Sequence, residues 1–238
     1  MNLTFRYHAE IPVRFPHVCG GVILARQLQN HPTPAALLSA FREEQQAVLA
    51  RLGNTPLSDL ETLAGWRAAF RAFGVDPTKY RSAAEALLRR LTKKGDIPSI
   101  NALVDICNLV SIRHALPVAA FNARVLQGSI LVHFAQGNEV FQPLGEAEAD
   151  NPLPGEVIFT AGSGAVVARR WCWRQSEDSA ADLDTTEAII TVEAQHDQGD
   201  RAVQMALNDL LELIEKFTGG IFTAGMVGKD RLEISNSS

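Results

Sequence analysis

Cysteine is scarce in this chain: Cys19, Cys107 and Cys172 are three among 238 residues, far apart and without a CxxC pair. Their scarcity excludes a disulfide framework or a zinc knuckle and predicts reduced thiols, no bound metal and a cytoplasmic setting. Long apolar runs are missing as well. The opening MNLTFRYHAEIPVRF interleaves charge and proline where a signal peptide needs an unbroken apolar stretch, and no window approaches the ~18 apolar residues of a membrane span. Positive charge is not in excess either, the formal net charge being −5, which excludes a protein that coats nucleic acid through a broadly basic surface. The patterns G-x-x-x-x-G-K-S/T, H-E-x-x-H and G-x-S-x-G are absent, and the glycine cluster GGIFTAGMVGK lacks the order of a phosphate loop. Nucleotide hydrolysis therefore has no support and no cofactor is expected. The six histidines show no metal-ligand spacing.

What is present is the composition of a globular protein, 46% hydrophobic and 21% charged. No repeat or low-complexity linker divides it, so one compact α+β unit over residues 1–238 is expected, with a loose tail at 232–238. The first 25 residues read as strands around a Gly20-Gly21 turn. Thr33-Pro34 and Thr55-Pro56 are helix-start signals, and Gly53 and Gly74 are stops, which predicts a helical hairpin over residues 33–74. Ser82 and Glu85 stand in the S-x-x-E spacing of a third helix start, and Gly95 ends that helix. A fourth, apolar helix is expected from about Ile100 to His114. Beyond Pro117, short β-branched runs separated by glycine and proline predict a mostly antiparallel sheet, with a Gly162-Ser163-Gly164 hairpin turn. Residues 200–217 have the apolar periodicity of a last amphipathic helix.

Charge is segregated along this framework. Between Lys79 and Lys94 lie Arg81, Arg89, Arg90 and Lys93 against the single acid Glu85, whereas residues 139–200 are acidic apart from Arg169, Arg170 and Arg174. Such a strip suits a phosphate backbone, and equally a solvated helix end. Within INALVDICNLVSI the polar Asn101, Asp105 and Asn108 fall on one stripe of an apolar helix. Burying them requires either a closed hydrogen-bond network or a wet pocket wall. In ARRWCWRQS, read as a strand, Trp171, Trp173 and Gln175 share one face while Arg170, Cys172 and Arg174 share the other. The tryptophans suit a core, or stacking on a base beside a cation.

Taken in order, WRAAFRAFGVDPTKYRSAAEALLRRL, IPSINALVDICNLVSIRHALPVAAFN, GSILVHFA, PLPGEVIF, RRWCWRQS and TTEAIITVEA resemble the B-three/B-four domain of the phenylalanyl-tRNA synthetase beta subunit, as a free-standing version. The resemblance covers residues 66–196. It implies the fold of that editing domain and, in translation quality control, its kind of chemistry: hydrolysis of the ester between tRNA and a wrongly attached amino acid. The chain is too short to hold a synthetase, so the implied activity is editing in trans, with tRNA or aminoacyl-tRNA as partner. Two positions depart from the family. Ala119 stands where a His is usual and Gln175 where a Glu is usual, which argues for a substrate side chain other than tyrosine.

On this resemblance the aminoacyl end is expected between the polar helix stripe and the Trp171–Ser176 segment. The expected catalytic residues are Asp105, holding the ammonium, Asn108, holding the ester or a ribose hydroxyl, and Gln175, positioning water. Asn101, Ala119, Trp171, Trp173 and Ser176 are expected to bind substrate, and Arg81, Arg89, Arg90, Lys93, Lys94 and Arg174 the tRNA phosphates. The rival reading is a binding module for tRNA or an amino acid that keeps the fold without the chemistry.

Overall fold

The computed structural model describes residues 2–145 and 148–236. In chain order it contains β1 (Thr4–Tyr7), the short α1 (Glu10–Arg14), β2 (Cys19–Arg26), and four helices, α2 (Ala35–Leu52), α3 (Glu61–Ala72), α4 (Ala83–Lys94) and α5 (Ala102–His114). There follow β3 (Val118–Asn122), β4 (Ser129–Phe134), β5 (Val157–Ala161), β6 (Val166–Arg169), β7 (Arg174–Gln175), β8 (Ala188–Ala194), α6 (Gly199–Thr218), β9 (Ile221–Gly228) and β10 (Glu233–Ser235). One sheet has the order β10-β1-β4-β5-β6-β7 and the other β3-β8-β2-β9. The pairing of β1 with β4 is parallel and every other strand pairing is antiparallel. The protein is thus the α+β, mostly antiparallel structure that the sequence predicts.

The four-stranded sheet is covered on both faces, so β8 is buried along its whole length and β2 from Gly20 to Ala25, and their apolar residues run together rather than alternating. Period-two geometry sends Ile23, Ala25, Ile190 and Val192 toward α2, α4, α5 and α6, and Val22, Leu24 and Ile189 toward the six-stranded sheet. The second core is aromatic. Trp171 lies 5.0 Å from Phe15 and 5.3 Å from Trp66, centroid to centroid, both edge to face.

Local signals place α4 and α5. Ser82 Oγ accepts a hydrogen bond from the Glu85 amide, and Gly95 closes α4 at φ 78°. Asn101 caps α5 by accepting from the Val104 amide.

Several expectations are corrected. Residues 33–74 do not form a hairpin. The apolar stripe of α2 packs on α5 and α4, while Trp66 and Phe70 of α3 enter the aromatic core. Thr33 is not the cap of α2, since its hydroxyl is used by Asp105. Gly20 and Gly21 are not a turn but lie inside β2, where neighbours leave no space for a side chain. A Cβ on Gly20 would meet the Tyr7 hydroxyl at 2.6 Å, and one on Gly21 would meet Val203 at 3.0 Å. The glycine cluster after residue 219 is strand β9. The tail is not loose from 232: Glu233–Ser235 pairs with β1, and Asn236 Oδ1 accepts from the Leu3 amide. Residues 237 and 238 lie outside the described residues. Finally, ARRWCWRQS is no single strand. Arg170 and Trp171 both have positive φ, so the chain turns between β6 and β7 and the two-face reading of the tryptophans fails.

Candidate active site

A pocket of about 90 Å³ opens where β3 and β8 face β5, β6 and the turn before β7. Alternation builds its walls. Ala119 and Phe121 come from every second position of β3, with Pro117 and Val118 at the strand's start also lining the pocket, and Thr191 and Glu193 come from every second position of β8; Ala119 pairs directly with Thr191. The opposite wall is Phe159, Ala168, Trp171 and Cys172, and the rim is Ala83, Trp173, Arg174 and Gln175.

Glu193 is the carboxylate of this pocket, and the sequence analysis did not single it out. Its side chain is buried, and Oε1 accepts from the Tyr7 hydroxyl at 2.5 Å and from Trp171 Nε1 at 3.0 Å. Burial raises its pKa to about 7, and the two hydrogen bonds restrain the rise. A signal was available: one acid inside an otherwise apolar strand must be partnered or functional. Glu193 of β8 thus brings a carboxylate to the same pocket that Gln175 of β7 lines. Burial pushes the Tyr7 hydroxyl and the Cys172 thiol well above their ordinary values, so Cys172 is a protonated thiol rather than a nucleophilic thiolate at neutral pH.

Of the residues expected from sequence, Ala119, Trp171, Trp173, Arg174 and Gln175 meet at the pocket. The Gln175 amide nitrogen is pinned by donation to Ala120 O at 3.0 Å and Ser179 O at 2.7 Å, which leaves Oε1 as the remaining polar atom of that amide. Trp173 carries Arg170 and Arg174 over its ring at 4.4 and 4.8 Å and meets the edge of Tyr80 at 5.1 Å. Trp171 contributes only part of its surface, the ring being sealed in the aromatic core. Ser176 is buried below β7 with its hydroxyl on Ser179, outside the pocket.

The helix stripe is not part of the site. Asp105 is fully buried, accepting from the Thr33 and Ser99 hydroxyls and from the Ile100 amide at 2.9 Å, so it ties the start of α5 to the preceding loop. Asn101 completes the network by donating to Ala181 O. Asn108 is half-buried and does not line the pocket. The alternative of a closed hydrogen-bond network holds for Asn101 and Asp105, because a helix start offers unpaired amides that these side chains satisfy.

The basic residues divide. Arg81 and Arg89 flank the buried Glu85 at 3.7 and 3.8 Å, Arg90 pairs with Asp96 at 4.0 Å, and Lys93 and Lys94 are exposed. Among the described residues no group of three or more His, Cys, Asp and Glu side chains could hold a metal ion, and no helix is long and apolar enough to cross a membrane.

Residues 65–219 match the B3/4 domain family. The chain belongs to that family. Every pocket-lining residue falls within the matched segment, whereas Tyr7, which reaches Glu193, lies outside it. Among solved structures, an N-terminal fragment of the phenylalanyl-tRNA synthetase beta subunit from Pyrococcus horikoshii is similar at 13% identity and a TM-score of 0.49, over 100% of this chain and 55% of that one. The chain thus spans about half the length of that fragment. No curated protein matches it in sequence.

Proposed function

We propose that this B3/4 protein hydrolyses, in trans, the ester that joins a misattached amino acid to tRNA. The observation that carries the reading is Glu193: a buried carboxylate with a pKa raised to about 7, set in a small pocket inside the family segment. An aminoacyl ester is already activated, so the protein needs to hold it, exclude bulk water and take one proton from the attacking water. A proton acceptor works best with a pKa near the working pH, as Glu193 has. Gln175 Oε1 orients the water or the ammonium, and Trp173 with Arg174 receives the terminal nucleotide by stacking and charge. Volume sets the substrate class. At about 90 Å³ the pocket is small, which favours an amino acid with a small, non-aromatic side chain.

A second reading has one observation in its favour. Glu193 Oε1 already accepts two internal donors, an arrangement that suits a structural carboxylate beneath a pocket that only binds. A panel of tRNAs mischarged with alanine, serine, threonine, valine and tyrosine separates the two. Editing predicts faster release of at least one small amino acid and no effect on tyrosine. Slower release across the panel, from protection of the ester, identifies a binding module.

A further inference from the structure

A second hollow, of about 370 Å³, lies between the segment that joins α2 to α3 and the helices α3 and α4, and is lined by Arg67, Glu85, Arg89, Lys93, Thr55 and Ser58 among others. Its chemistry is set by Glu85, whose carboxylate is buried and faces three guanidinium groups: Arg67 at 3.1 Å, Arg81 at 3.7 Å and Arg89 at 3.8 Å. Glu85 and Arg89, four residues apart, share one face of α4, Arg81 approaches Glu85 from just before the helix, and Arg67 reaches across from α3. One negative charge against three positive ones leaves the cluster cationic. Nε of Arg67 and of Arg81 is buried without a well-formed hydrogen bond. The positive charge of the cluster is thus only partly balanced by Glu85, on a protein whose net charge is −5.

The hollow and the pocket share no lining residue, but helix α4 runs from one to the other, Ala83 lining the pocket and Glu85, Arg89 and Lys93 the hollow. The amide of Ala83, at the start of α4, donates to Cys172 O at 2.8 Å, and both residues line the pocket. From Ala83 to Lys93 the helix then covers about 15 Å at ~1.5 Å per residue, long enough for consecutive phosphates. At the pocket end stand Tyr80 and Trp173 with the Arg170 guanidinium packed against both, 3.7 and 4.4 Å from the two rings.

We propose that the hollow formed by Arg67, Arg89 and Lys93 binds the sugar-phosphate backbone of the RNA strand whose end enters the pocket. Arg67 is a binding residue that the basic strip in the sequence does not contain. Glu85 is a positioning residue that keeps three mutually repelling guanidinium groups together, and Arg90, paired with Asp96, is not part of the track. That the strand belongs to tRNA rests on the proposed function; that the hollow takes a phosphate backbone does not.

The test is the binding of uncharged tRNA to the full chain by fluorescence anisotropy at several salt concentrations, so that no deacylation enters the readout. Arg67→Gln, Arg89→Gln and Lys93→Glu are each expected to weaken binding at least threefold. Each should also lower the slope of log K against log salt by about 0.7–0.9 for each phosphate contact removed. The charge reversal Arg42→Glu, at an exposed site on α2, is the control for net charge and is expected to leave the slope unchanged. Lys93 is exposed, so its variant remains decisive even where Arg67→Gln lowers the folded fraction. Unchanged affinity and slope in the Arg89 and Lys93 variants overturn the inference, as does displacement of tRNA by millimolar inorganic phosphate, which identifies a site for the free ion. Loss of binding in these variants by a protein that releases no amino acid from any tRNA keeps the inference and removes the editing reading.

Discussion

The Tyr7 hydroxyl lies 2.5 Å from Glu193 Oε1, a contact between the first strand of one sheet and a central strand of the other. It exists because Gly20, paired with Glu193 across β2 and β8, carries no side chain in the space the hydroxyl occupies. The two sheets are thereby joined at the pocket by a hydrogen bond to its single carboxylate, with Trp171 giving the second.

Glu193 makes stability depend on pH. Its pKa is about 7 in the folded protein against 4.5 as the ordinary value, so between these limits the folded state binds more protons than the unfolded one. Stability from this group is therefore complete below about pH 4.5, falls as pH rises toward 7, and is flat above. The loss is about 3 kcal/mol. Urea unfolding at pH 5 and pH 8 measures most of it: the difference between wild type and Glu193→Gln is expected to shift by about 2–3 kcal/mol in favour of the variant at pH 8.

Tyr7→Phe removes a donor that favours the ionised carboxylate. The apparent pKa of the pH–rate profile is expected to move up by roughly one unit, since a hydrogen bond to a charged group contributes about 1.5–3 kcal/mol. With uncatalysed hydrolysis subtracted, the rate at pH 7 drops about fivefold, as the ionised fraction falls, and recovers at higher pH.

Asp105→Ala tests whether the α5 stripe is structural. Two hydroxyls and the Ile100 amide lose their acceptor, so stability falls by about 2–4 kcal/mol. The deacylation rate per folded molecule stays at the wild-type value, read by normalising to the folded fraction from circular dichroism.

Ala119→Leu tests the pocket itself. The added carbons fill a space of about 90 Å³ beside Thr191, so kcat/KM is expected to fall at least tenfold. Because Ala119 is only half-buried, the melting temperature changes by a few degrees at most.

How much of this is legible in the sequence follows the range of the interactions. Ser82, Gly95 and Asn101 act on amides and carbonyls within a few residues, so α4 and α5 can be read from their signals. The family blocks carry the fold class and bring Ala119, Trp173, Arg174 and Gln175 to one place. The seam of Asn101 and Asp105 is legible as a polar stripe, but its partners Thr33, Ser99 and Ala181 lie in loops, and periodicity cannot distinguish a network from a pocket wall. The parallel pairing of β1 with β4 and the contact of Tyr7 with Glu193 join residues more than a hundred positions apart, and no local pattern encodes them. Gly20 misleads for a related reason: glycine marks turns more often than close approaches, and the hydroxyl that needs the space is thirteen residues away.

The central claim is that Glu193 takes the proton from the water that cleaves the ester. Single-turnover release of a small amino acid from mischarged tRNA at pH 7, compared between wild type and Glu193→Gln, tests it most directly. The account predicts release by wild type well above the uncatalysed rate and a fall of about a hundredfold or more in the variant, which keeps an acceptor for Tyr7 and Trp171 but cannot accept a proton. Equal release by the two proteins, or protection of the ester by both, contradicts it.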